Sequence, residues 1–148
     1  MAATSCIGFE RIGGIYPELR QFTLCTGQTC SAGDVIGMSA TTGYCTKGTA
    51  NMDDIVGVAA HNVASAASVG PAVLVWDPRN IFRVARKSGE TAGIPLDEGE
   101  LCHLENARSI DLSSTNGASS QFRVLRVVDT AASGACEGTF RLAKTIYG

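Results

Sequence analysis

Short apolar runs separated by clusters of Gly, Pro, Asn, Asp and Ser recur along most of the chain, which is the pattern of strands joined by turns. Residues 21–25 (QFTLC) alternate, with Phe22 and Leu24 on one face. Residues 35–39 (VIGMS) follow a turn at Ala32-Gly33-Asp34, and residues 44–47 follow Thr42-Gly43. The runs at 55–61 (IVGVAAH), 72–76 (AVLVW) and 80–85 (NIFRVA) read as the central, most buried strands, with Asp77-Pro78 punctuating the last two. Residues 101–104 and 109–112 predict short strands, residues 113–120 a turn, and residues 121–128 (QFRVLRVV) an alternating strand. A last strand is expected over 139–146. Residues 88–99 read as an exposed loop. Helical periodicity is confined to the Ala-rich stretch 58–68, enough for a turn or two.

About nine strands at regular spacing predict an all-β (mainly β) fold, a compact single-domain β-barrel or sandwich with an irregular N-terminal arm. The arm is residues 1–20 and the β-barrel-like domain residues 21–148. In the arm, Gly8, Gly13-Gly14 and Pro17 interrupt Ile7, Phe9, Ile12, Ile15 and Tyr16, so no regular element is expected. Residues this apolar do not remain in water. Ile7, Phe9, Ile12 and Tyr16 are therefore the candidate contact with another subunit, a partner or a sister copy.

Charge narrows the classes of partner. Only 18% of residues are charged and the net charge is −2, with the 12 basic residues scattered, so no basic run exists to neutralise a nucleic-acid backbone. The apolar runs are far too short to span a bilayer. The first ten residues lack the charged start and apolar core of a signal peptide, so a cytoplasmic origin is expected.

Catalytic chemistry is hard to assemble. Of the two histidines, His103 follows Cys102 directly, and neighbours on a strand point to opposite faces. His61 has no fixed partner. Asp53-Asp54 and Asp97-Glu98 with Glu100 sit in turn-like sequence and read as loop solvation. The string Ala-Gly-Asp-Val-Ile-Gly at 32–37 is similar to turns in biotinyl carrier barrels, but Lys47 lacks the flanks of a modified lysine. No enzyme activity, no cofactor and no metal site is expected; Cys25 and Cys30 have zinc-like spacing but no second Cys/His pair.

Six cysteines, Cys6, Cys25, Cys30, Cys45, Cys102 and Cys136, are many for a chain without an export signal. They are candidate disulfide or cross-link residues, the alternative being buried thiols acting as small hydrophobes. Cys25 and Cys30 suit a local bridge, and Cys6 on the arm suits one between chains.

From about residue 50 onward the chain resembles the capsid cement (decoration) proteins of tailed bacteriophages. The residues that carry the resemblance are Asp54-Ile-Val-Gly-Val-Ala-Ala-His61, Val73-Leu-Val-Trp-Asp-Pro78, Ile81-Phe82-Arg-Val84, Gln121-Phe-Arg-Val-Leu-Arg-Val-Val128 and Phe140-Arg-Leu-Ala-Lys144. The cysteines depart from that pattern and suggest an added stabilising role. The resemblance implies a virion protein made in the host cytoplasm and seated on the capsid surface. Its partner would be the major capsid protein of an HK97-type shell, and it would be a homo-oligomer, trimer or dimer. A stand-alone β-barrel binding module for a small ligand or glycan is the other class the sequence allows.

Overall fold

The structure is a computed structural model that describes residues 6–39, 42–50, 52–64, 70–94, 96–115 and 120–148. Eleven strands lie in these residues: β1 (Glu10–Gly13), β2 (Leu19–Thr23), β3 (Val35–Met38), β4 (Cys45–Lys47), β5 (Ile55–Ala59), β6 (Ala72–Trp76), β7 (Ile81–Arg86), β8 (Leu101–Asn106), β9 (Ser109–Thr115), β10 (Phe122–Val127) and β11 (Ala135–Phe140). One 3-10 turn, Leu142–Lys144, follows the last strand. The all-β expectation holds. The last strand lies earlier than its apolar residues suggested, because 135–140 (ACEGTF) is mostly small residues with no alternating pattern. The Ala-rich stretch is β5 followed by bends as far as residue 64, and its remainder, 65–68, lies outside the described residues; so do residues 116–119 of the expected turn.

The strands form two sheets. The first runs β1-β7-β11-β10-β8-β9, with β9 returning to pair with β7. β7, β11, β10, β8 and β9 therefore close into a five-stranded barrel. β7 shares one edge between two partners: β1 pairs along Ile81–Arg83, and β9 pairs in parallel at Ala85 and Arg86. The second sheet runs β2-β6-β5-β3-β4, and a bridge from Leu24 to Cys45 draws its two ends together.

Each sheet has its own core. In β7 the buried residues alternate, so Phe82, Val84 and Arg86 point into the barrel. Cys102, Leu104, Ile110, Leu112, Phe122, Val124, Cys136 and Phe140 join them. The second core holds Leu24, Cys30, Ile36, Cys45, Val56, Val73 and Val75. β3 and β5 serve both, since Val35, Ile55 and Val58 join the barrel core while Ile36, Val56 and Ala59 join the second. Every residue of β5 is buried, as its unbroken apolar sequence requires. At its centre Gly57, with φ at 152°, lies so close to the Trp76 carbonyl that a Cβ would collide with it.

The barrel is plugged at both mouths. At one, Phe9 is 2% exposed and packs on Phe82, Phe122 and Phe140, with ring centroids 6.5, 5.6 and 5.2 Å away. Its contacts with Phe82 and Phe122 are edge-to-face, the favourable arrangement for ring quadrupoles. Four residues further along β7, roughly 13 Å at strand rise, Arg86 fills the other mouth. Its guanidinium donates to the carbonyls of Glu90, Asp129, Ala131 and Ala135 and to Cys136 Sγ. A buried cation is thus compensated by carbonyl dipoles.

The segment expected as an arm is therefore part of the body. β1 completes the barrel wall, Phe9 completes its core, and β2 begins at Leu19 as a strand of the second sheet. Phe9→Ala is expected to lower the unfolding free energy by about 3–5 kcal/mol, the range for removing a buried Phe. Ile12→Ala, at a residue 42% exposed, is expected to cost less than about 1 kcal/mol. Urea denaturation followed by circular dichroism distinguishes the two; equal effects would show that Phe9 is no plug.

Candidate functional site

Residues 7–24 form a strap that carries β1, paired on the edge of β7 in the first sheet, into β2, the outermost strand of the second. Its first anchor is a close backbone approach: Gly8 (φ 74°) lies against Gly33 (φ 93°), and a Cβ on Gly8 would sit 2.6 Å from the Gly33 carbonyl oxygen. The Phe9 N–H donates to that carbonyl at 2.8 Å. The second anchor is Asn80, which is fully buried. Its Oδ1 accepts from the Tyr16 N–H at 3.2 Å, and its Nδ2 donates to the Tyr16 carbonyl at 2.8 Å. One amide side chain thus satisfies both backbone groups of a residue just before Pro17, where no strand partner exists.

A stacked cluster forms the third anchor. The Arg79 guanidinium lies 3.9 Å from the ring centres of both Tyr16 and Tyr147. Asp77 accepts from Arg79 Nε at 2.9 Å and from Nη2 at 2.7 Å, a two-pronged pair. Burial pushes the Asp77 carboxyl up, but the side-chain and backbone hydrogen bonds from Arg79 outweigh it and hold the carboxyl below its usual range. Arg20 lies over Tyr147, 5.6 Å from its centroid, and donates from Nη1 to the phenol oxygen. At the other end of the strap, Arg11 lies over Trp76.

These anchors divide the four candidate contact residues. Phe9 is a core residue of its own chain, so it is not a contact for another subunit. Tyr16 is half-buried, clamped by Asn80 and stacked on Arg79, and is likewise spent within the chain. Ile7 and Ile12 do face outward, 74% and 42% exposed. Ile15 and Leu19, which the sequence reading did not single out, join them at 83% and 41%. Ile15 and Leu19 line a groove of about 370 Å³ with Tyr16, Arg20 and Arg79, and Ile7 lines one of about 300 Å³ with Arg11, Gly33 and Trp76.

All six cysteines are free thiols, which corrects the expectation of disulfides within the chain. Cys30, Cys45, Cys102 and Cys136 are buried. The local pairing of Cys25 with Cys30 is not formed. Cys30 bridges Val63 and joins the second core. Leu24 opposite Cys45 also points into that core, so adjacent Cys25 points away from it. Burial is the largest influence on the Cys6 and Cys45 thiols and pushes each up to about 11, and it also raises Cys30, Cys102 and Cys136. Such thiols carry little thiolate at neutral pH and are slow to exchange.

The other candidate groups are structural. Cys102 is buried and His103 half-exposed, on opposite faces of β8. His61 Nε2 accepts from the Leu74 N–H at 3.0 Å, which requires an unprotonated nitrogen there. The loop acids do more than face water: Asp97 accepts from the Gly93 N–H, Glu98 from the Val127 N–H at the end of β10, and Asp53 pairs with Lys144. Among the described residues, no three His, Cys, Asp or Glu side chains gather as metal ligands would. No helix there is long and apolar enough to cross a membrane.

Two outcomes follow from these arrangements. Alkylation in denaturant without reductant should label all six thiols, whereas labelling of the native chain should be confined to Cys25 and, more slowly, Cys6; fewer than six labels on the denatured chain would mean bridges exist. Asp77 has its carboxyl held below the unfolded value, so its stabilisation is present above the ordinary carboxylate range and is lost as pH falls through the lowered value. Asp77→Asn should therefore lower the melting temperature at about pH 7, with the gap to wild type closing as pH falls through the lowered value. A gap independent of pH would show that the charge on Asp77 is not what matters.

No known protein family and no curated protein matches this chain.

Proposed function

We propose that the chain is a structural virion protein that seats on the outer face of an HK97-type tailed-phage shell, binds its major capsid protein and cements the lattice. The observation that carries this reading is the row Ile7, Ile12, Ile15 and Leu19, exposed on a strap that is itself fixed at three anchors. Apolar side chains on an ordered backbone bind at a smaller entropic cost than the same side chains on a loose tail. The resemblance supports it from another side. Four of its five motifs are the strands β5, β6, β7 and β10, which contribute to both cores, and the fifth, at 140–144, is the end of β11 with the 3-10 turn, so the likeness lies in the body that presents the strap. Cementing needs only modest contacts per subunit, because many copies act together and the gain is the difference in affinity for the mature lattice.

The two strap grooves favour a second reading, a binding module for a small ligand or glycan. Arg20 and Arg79 line one and Arg11 and Trp76 the other, so each offers polar groups beside aliphatic side chains, as ligand sites do.

The deciding experiment mixes the purified chain with expanded shells of the capsid protein encoded beside it. Cosedimentation is expected, together with a higher shell melting temperature. The pair Ile7→Asp and Ile12→Asp should reduce occupancy about tenfold or more while the free chain melts as wild type. A chain left in the supernatant, or a gene with no capsid gene as neighbour, would remove the shell reading. Saturable binding of a glycan from an array would establish the other.

A further inference from the structure

We propose that the chain forms a two-fold dimer by pairing the open edge of β2 with the same edge of a second copy, Leu19 against Leu19. The inference does not depend on what else the protein binds.

Hydrogen bonds along a strand alternate between its two sides. The Leu24 N–H donates to Pro71 on the β6 side, whereas the Cys25 N–H donates to Cys45 on the other side, each at 2.8 Å. Counting back in steps of two, the backbone groups of Arg20 and Phe22 face β6, and those of Leu19 and Gln21 face away from it. β2 is the outermost strand of its sheet. Among the described residues, β4 meets that outer edge only at its far end, through Cys45 opposite Leu24. Glu18, Leu19, Arg20 and Gln21 are all exposed.

An edge of this kind is usually blunted by charge, a bulge or a covering loop. Here the residue at its centre is Leu19, with Ile15 nearby at 83% exposure. The charges on either side are complementary to themselves under a two-fold axis. With the axis at Leu19, Glu18 of each copy lies directly opposite Arg20 of the other, the spacing at which cross-strand ion pairs form. Leu19 exchanges both its backbone hydrogen bonds with its counterpart, and the Gln21 N–H meets the Pro17 carbonyl of the second copy. Pro17, which has no N–H, falls where the pairing ends. An axis at Gln21 would instead drive the second copy into β4 at Cys45. Arg20 already uses Nη1 on Tyr147, and its other N–H groups have no hydrogen-bond partner among the described residues.

Sedimentation velocity of the full chain over a range of concentrations tests the proposal. A monomer–dimer equilibrium is expected. Glu18→Arg, which sets Arg against Arg twice, should weaken it about tenfold or more, and the double variant Glu18→Arg with Arg20→Glu should restore it. Leu19→Pro should also weaken it while leaving the melting temperature near wild type, because the N–H it removes does not serve β6. A wild-type chain that stays monomeric at every concentration would overturn the proposal. So would a dimer indifferent to both Glu18→Arg and Leu19→Pro, whatever the melting temperature of the proline variant.

Discussion

A narrow barrel is filled by its own side chains along its length, but its two mouths open the core to water unless something closes them. In this protein one closure is an aromatic ring brought from far away in sequence and the other is a cation. Phe9 reaches the barrel only because β1 lies on β7, and β1 can lie there only because β9 leaves the first half of that edge vacant. Arg86 is confined by carbonyls of the turns around residues 90 and 129–135, so the shape of those turns and the placement of the charge hold each other.

The strap follows from the same requirement. Once Phe9 is fixed, the chain must travel from the barrel to the second sheet across the seam where β6 passes into β7. That seam is where Asp77, Arg79 and Asn80 lie, and all three hold the strap. The outward row of aliphatic side chains is thus a by-product of core closure made rigid by polar chemistry. Rigidity is what turns scattered exposed residues, unremarkable on any protein surface, into a surface with a defined shape.

Much of the fold was legible because strands half-buried or fully buried write their exposure into a period of two or a continuous run. β6 and β7 are placed almost to the residue, and β5 announces burial on both faces. What stayed hidden has a common cause. β1 is four residues with one aliphatic side chain, and its evidence is the partner strand 70 positions away. Phe9 and Tyr16 look alike in sequence to Ile7 and Ile12; only Phe140, Asn80 and Arg79 decide which turn inward. β11 is packed tightly enough that Gly138 lies against the Arg123 carbonyl, and four of its six residues, Ala135, Cys136, Gly138 and Thr139, are small and carry no period. The cysteines counted as a redox signal are mostly core packing.

The distance in sequence between Phe9 and the rings it meets also orders events in time. During synthesis the plug emerges before Phe82 and Phe122, and Phe140 follows them. The barrel has no strand order in which its core can be completed from one end, since β7 must find β11, β9 and β1 across long intervening segments. Folding of this topology is therefore governed by the closure of long loops rather than by local structure, which places it among slow-folding β proteins. Until β11 arrives, the chain carries an aromatic side chain with nowhere to go, and it is in that interval that it is most open to association with the wrong partner.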